Sequence, residues 1–155
     1  MKRIYYLIVV LAVVIVAVGI VYASGSLGLG REYNNTITVV NAKAIALPTG
    51  GGAFMKIING YPERVCLVKA ELAGYADAKV EIHKTVVDER GVARMQPVDK
   101  ICIEPGGYVE LKHGGYHIMI MNARLEEGST ITLKLYFDNG DMVAVEAPVK
   151  AKGRE

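Results

Sequence analysis

The chain has 155 residues, 52% of them apolar, with 18 Lys and Arg set against 16 Asp and Glu. Lys2 and Arg3 supply the whole positive excess, so the rest is balanced and carries no electrostatic footprint for nucleic acid. Beyond the apolar amino terminus there is enough chain for one core and too little for two ordinary domains.

The first predicted element is the uncharged run from Ile4 to Ala23, rich in Val, Ile and Leu. As a helix it would span roughly 30 Å, the thickness of a bilayer's hydrocarbon core. Only positive charges precede it, which keeps Met1 cytoplasmic and sends the remainder outward. Val21-Tyr22-Ala23 offers a signal-peptidase site as the alternative, but signal cores are usually about 7–15 residues. The run is therefore read as an N-terminal transmembrane helix spanning residues 1–23, with a secreted or periplasmic protein as the outcome if it is cleaved. No cysteine follows it to accept a lipid. Residues 24–35, with Ser24-Gly25-Ser26, Gly28 and Gly30, read as a flexible tether. The working domain is expected over 36–150, followed by a polar tail at 151–155.

From Thr36 onward, short runs of Val, Ile, Thr, Leu and Tyr alternate with Gly, Pro, Asn and Asp. Strands are predicted at 36–47, 52–59, 65–72, 78–87, 92–97, 101–104, 108–112, 117–121, 130–137 and 142–149. No window sustains a helical stripe as well as these sustain alternation, so the fold class is all-β, a sandwich or barrel. Asp138-Asn139-Gly140-Asp141 predicts a hairpin joining the last two strands. Pro48-Thr49-Gly50-Gly51-Gly52 and Glu104-Pro105-Gly106-Gly107 read as turns. Cys66 and Cys102 sit among apolar residues in a compartment that tolerates disulfides; a bridge and two packed thiols are both open readings.

Against this background His83, Met95, His117 and Met119 stand out: a His, a Met twelve positions on, and a His-x-Met another twenty-two positions on. On a strand, His117, Met119 and Met121 share one face while Tyr116, Ile118 and Ile120 share the other. A turn through Asp88-Glu89-Arg90-Gly91 would place His83 and Met95 across a hairpin from each other, facing the His-x-Met strand. The spacing, with Ala53-Phe54-Met55-Lys56-Ile57-Ile58-Asn59, Val80-Glu81-Ile82-His83, Gly91-Val92-Ala93-Arg94-Met95-Gln96-Pro97-Val98, Gly114-Gly115-Tyr116-His117-Ile118-Met119-Ile120-Met121 and Leu133-Lys134-Leu135-Tyr136-Phe137, resembles the extracytoplasmic copper chaperones of the PCu(A)C type. Lys84 departs from that pattern, in which a Met often follows the first His.

The resemblance implies a cupredoxin-like Greek-key sandwich and a metal site made of His83, Met95, His117 and Met119. Met121 is either an auxiliary donor or core filler. Met55 and Met142 read as core, and His113 as an exposed loop residue close enough in sequence to catch divalent copper. Two imidazoles and two thioethers form a borderline-to-soft donor set suited to Cu(I). The implied role is non-enzymatic: carrying one Cu(I) to the copper centre of a membrane cytochrome c oxidase, directly or through a thiol-bearing assembly partner. Two rivals stand beside it. One is an electron-transfer cupredoxin, which needs a Cys thiolate. The other is a membrane-tethered sandwich whose His and Met are merely structural. No Ser-His-Asp order, paired carboxylates or phosphate loop suggests an enzyme.

Overall fold

A computed structural model describes residues 32–151; the predicted transmembrane segment and most of the tether and tail lie outside them. The compact unit that begins at Tyr33 has ten strands: β1 (Ile37–Leu47), β2 (Gly50–Asn59), β3 (Val65–Leu72), β4 (Lys79–Val87), β5 (Ala93–Pro97), β6 (Ile101–Ile103), β7 (Tyr108–Leu111), β8 (Tyr116–Met121), β9 (Thr130–Phe137) and β10 (Met142–Lys150). Among the described residues no helix is long and apolar enough to cross a membrane.

The strands pair in the order β5-β4-β8-β2-β1-β10-β9-β3-β6, with β7 also paired to β2. Every pairing is antiparallel except β1 with β10, which joins the two halves of the path. Both halves turn one face to a shared core. Ile57, Ile82, Ile118 and Ile120 come from one half; Leu67, Ile103, Leu133 and Leu135 come from the other. Each is a member of an alternating run, so its neighbours in sequence face outward. Burying one such side chain is worth about 1.5–3 kcal/mol, whereas an exposed pair such as Lys69–Glu71 is worth about 0–1 kcal/mol. The core, not the ion pairs, fixes strand register.

The expected Gly50-Gly51-Gly52 turn is corrected: only Pro48 and Thr49 lie between strands, and the three glycines open β2. Close packing explains this. A Cβ on Gly50 would lie 2.0 Å from the Ile120 carbonyl oxygen, and one on Gly51 2.5 Å from a Leu125 methyl. Met142, expected in the core, is 51% exposed because β10 presents Val145, Ala147 and Val149 inward and Met142 falls outside that run. Met55 is buried as expected. The Asn-Gly hairpin joins β9 to β10, pairing Val143 with Leu135.

Cys66 stands directly opposite Cys102 on β3 and β6, and the two form a disulfide. They project away from the core, since Ile101 and Ile103 face it, and Cys102 is exposed. The bridge fastens the three-residue edge strand β6 across a sequence separation of 36. A Cys66→Ser/Cys102→Ser variant is expected to lose about 3–4 kcal/mol of unfolding free energy in urea, the loop-closure entropy of a ring this size.

Candidate metal centre

Strands β4 and β8 are neighbours, and their register sets Glu81 opposite Met119, Ile82 opposite Ile118 and His83 opposite His117. Directly opposed residues of an antiparallel pair project to the same side. Ile82 and Ile118 enter the core, so the two histidines, Glu81 and Met119 share the opposite face of the sheet. On the far side of β4, edge strand β5 sets Met95 opposite Thr85 and Pro97 opposite His83. The expected pairing of His83 with Met95 is thus two residues out of register, although both stay on the same face. The hairpin's loop is longer than four residues, running from Asp88 to Val92 with Gly91 at φ 78°. The Asp88 carboxylate accepts from the backbone N–H of Arg90 and of Val92. The hairpin also lies beside the His-x-Met strand in one sheet rather than facing it.

On the other flank of β8, Gly52 of β2 is paired with Met119. With no side chain there, the Phe54 ring lies along the strand; a Cβ on Gly52 would approach it to 3.3 Å. That ring is 6.3 Å from the His117 ring, centroid to centroid. The His83 ring stands edge-on to His117 at 5.8 Å. His117 is only 4% exposed although it faces away from the core.

Each imidazole has one nitrogen engaged. His83 Nε2 lies 2.9 Å from Glu81 Oε2, and His117 Nδ1 lies 3.1 Å from the carbonyl oxygen of Gly115. A carboxylate and a carbonyl only accept, so these nitrogens carry the protons. Lys79 grips the other oxygen of Glu81 at 2.6 Å. That lysine first, and His83 second, hold the Glu81 carboxyl below the usual range, so it is ionised. The second nitrogens, His83 Nδ1 and His117 Nε2, are the only buried side-chain nitrogen or oxygen atoms among the described residues without a hydrogen-bond partner. Leaving such a group unsatisfied costs about 1–3 kcal/mol. Two unprotonated lone pairs on adjoining rings are what a metal consumes.

Beside them lies a cavity of about 150 Å³ whose lining includes Phe54, Met95, His113, His117 and Met119. Larger grooves exist, such as one of about 730 Å³ lined by Lys69, Glu71, Lys79 and Lys134, but the chemistry singles out the small one. The structure therefore brings Met95, His117 and Met119 to one cavity and stands His83 against His117. Met121 shares the face but lies opposite Gly50 and Lys79 and does not line the cavity. No group of three or more His, Cys, Asp or Glu side chains among the described residues is placed to hold a metal. The thioethers of Met95 and Met119 line the same small cavity as His117. Both cysteines are tied up in the disulfide.

Sequence reasoning missed Glu81, Gly52 and Phe54. Glu81 was detectable, because a residue two before His83 on a strand shares its face. Gly52 and Phe54 were not, because their place depends on the β2–β8 register.

The family profile described as "Putative lipoprotein LpqE-like" matches residues 37–149. "Putative lipoprotein Lxx21020" of Leifsonia xyli is 32% identical over 77 residues, 48% of this chain, and the match spans about half, 46%, of that relative's length. Among solved structures, the apo PCuAC domain from PmoF1 superposes with a TM-score of 0.62 at 18% identity, covering 77% of this chain and 98% of that one. The copper-bound PCuAC domain from PmoF2 gives 0.59 at 18% identity, covering 74% and 92%. Apo-DR1885 from Deinococcus radiodurans gives 0.55 at 27% identity, covering 77% and 81%. The fold is that of PCuAC domains.

Burial pushes His117 below the ordinary histidine range; the Gly115 carbonyl opposes this, and charge on His83 and His113 adds to it. In the unfolded chain the same imidazole takes a proton near pH 6.5. Between that pH and the lower folded value the unfolded state binds more protons, so stability rises with pH. The contribution is complete above about pH 6.5 and is lost as pH falls through the folded value. Thermal midpoints of the metal-free protein are expected to drop on acidification from pH 7 to 5, with a flatter profile in His117→Gln.

Proposed function

We propose that this chain, which belongs to the LpqE-like family, is a copper chaperone that holds one Cu(I) through His83, Met95, His117 and Met119 and passes it to another protein. The observation that carries this reading is the pair of buried, unpartnered nitrogens, one on each histidine. They stand beside two thioethers in a PCuAC fold, on the face where no thiolate is available. Neutral thioethers hold Cu(I) without a sulfur that oxidises to a disulfide. Met95, at 56% exposure on an edge strand, gives an incoming ligand a place to begin exchange. The two packed halves fit a cupredoxin-like Greek-key sandwich. An electron-transfer cupredoxin is disfavoured, since its thiolate would have to come from the Cys66–Cys102 disulfide.

The recipient in this proposal is the copper-centre subunit of a membrane cytochrome c oxidase, reached directly or through a thiol-bearing partner. The domain would work outside the cytoplasmic membrane, tethered by the apolar run of residues 4–23, which raises effective concentration near a membrane-bound acceptor. Within this sequence neither cysteine is free to carry a lipid.

A competitive Cu(I) titration under non-thiol reducing conditions tests the reading. One tight equivalent is expected, weakened on the order of 100-fold or more in Met95→Ala, beyond the 10–100-fold typical of outer-shell changes. Because Met95 is largely exposed, its loss should leave the thermal midpoint of the metal-free protein nearly unchanged, so weaker binding would report a lost ligand. Absence of a tight equivalent in the unaltered protein would leave a structural sandwich as the better account.

A further inference from the structure

We propose that Glu81 is a positioning residue that selects which nitrogen His83 offers to a metal, so that the centre is built from two different imidazole nitrogens, Nδ1 of His83 and Nε2 of His117. The inference deepens the copper reading and, for its binding consequences, rests on it.

Neutral histidine carries one ring proton, and the hydrogen bond made by one nitrogen decides whether the other is a donor or a lone pair. For His83 the deciding partner is a carboxylate two residues back on the same strand face, 2.9 Å from Nε2. Its position is itself fixed, because Lys79, two further residues back, holds the second carboxylate oxygen at 2.6 Å. Lys79, Glu81 and His83 thus form a ladder along one face of β4, each at the period of a strand. The ladder turns the far nitrogen of the ring toward Glu81 and leaves the nitrogen nearest the backbone buried and unpartnered.

His117, directly across on β8, is arranged the opposite way. Its Nδ1 gives its proton to the Gly115 carbonyl, and Nε2 is the buried nitrogen without a partner. The two rings meet edge-on and present one lone pair each. A carboxylate behind a ligating imidazole orients the ring and raises its basicity. For His117 a backbone carbonyl does the orienting, which no substitution at that position removes. Only the His83 half of the arrangement depends on a side chain.

Nitrogen-15 NMR of the metal-free protein reads the tautomers without reference to copper. At a pH where both rings are neutral, His83 should show a protonated Nε2 and a bare Nδ1, and His117 the reverse. In Glu81→Ala the His83 signals should move toward averaging between tautomers while those of His117 stay. Glu81→Gln retains an acceptor oxygen and should restore part of the preference. Cu(I) affinity should fall about 10–100-fold in Glu81→Ala and recover partly in Glu81→Gln, the range typical of outer-shell partners.

A His83 proton on Nδ1 in the unaltered protein, or an unmoved His83 tautomer in Glu81→Ala, overturns the proposal. So does an altered tautomer with unchanged Cu(I) affinity. If the unaltered protein shows the expected tautomers but binds no copper, the copper reading fails and the tautomer assignment stands.

Discussion

The site depends on one cross-strand register, His83 of β4 opposite His117 of β8. Nothing polar in the pair enforces it. The enforcement comes from the other face, where Ile82, Ile118 and Ile120 are buried in the core. A slip of one residue would send those isoleucines into water and the imidazoles into the core. Three such burials are worth on the order of 5 kcal/mol, more than the hydrogen bonds of both histidines together at about 1 kcal/mol each. The apolar side of the sheet thereby positions a polar centre it does not touch.

The two buried nitrogens without partners lie on the outer face, that of His117 beside Phe54, whose ring lies close to Gly52. Their cost of about 1–3 kcal/mol each is offset by apolar burial on the other face of the same strands. Glycine is needed at Gly50 and Gly51 because backbone and a leucine methyl approach too closely for a side chain. At Gly52 the contact is looser, and its effect is to let an aromatic ring screen His117 from water. One run of three glycines thus closes the strand packing and shapes the pocket.

Much of this was legible in the chain. All ten predicted strands are present, nine with ends within one residue of the predicted ones and β2 starting two residues early, because nearly every strand has one face in the core and one outside, the condition under which period-two reading works. The His-x-Met strand could be assigned a face for the same reason. What could not be read was pairing. His83 opposite Pro97 instead of Met95 follows from a loop running to Val92, with Asp88 accepting from the backbone of Arg90 and Val92. The disulfide was undecidable because it depends on β3 lying beside β6, strands far apart in sequence. Met142 misled because an apolar residue at a strand's first position need not reach the core.

Exposure across the proposed donor set is graded, and the gradient bears on how a bound ion would leave. His117 is almost fully buried, the His83 side chain is 12% exposed, Met119 is half-buried, and Met95 on the edge strand is mostly open. An entering ligand must replace donors one at a time, and it can reach only those that water reaches. The most exposed donor is a thioether, neutral and weakly held, on a strand with one free edge. The least exposed are imidazoles fixed by a carboxylate and a carbonyl that do not depend on the metal. Under the proposed reading, exchange therefore begins at Met95 and ends at His117. The half of the site that releases last is the half whose geometry the sheet already holds, so the empty protein is left preorganised for the next ion.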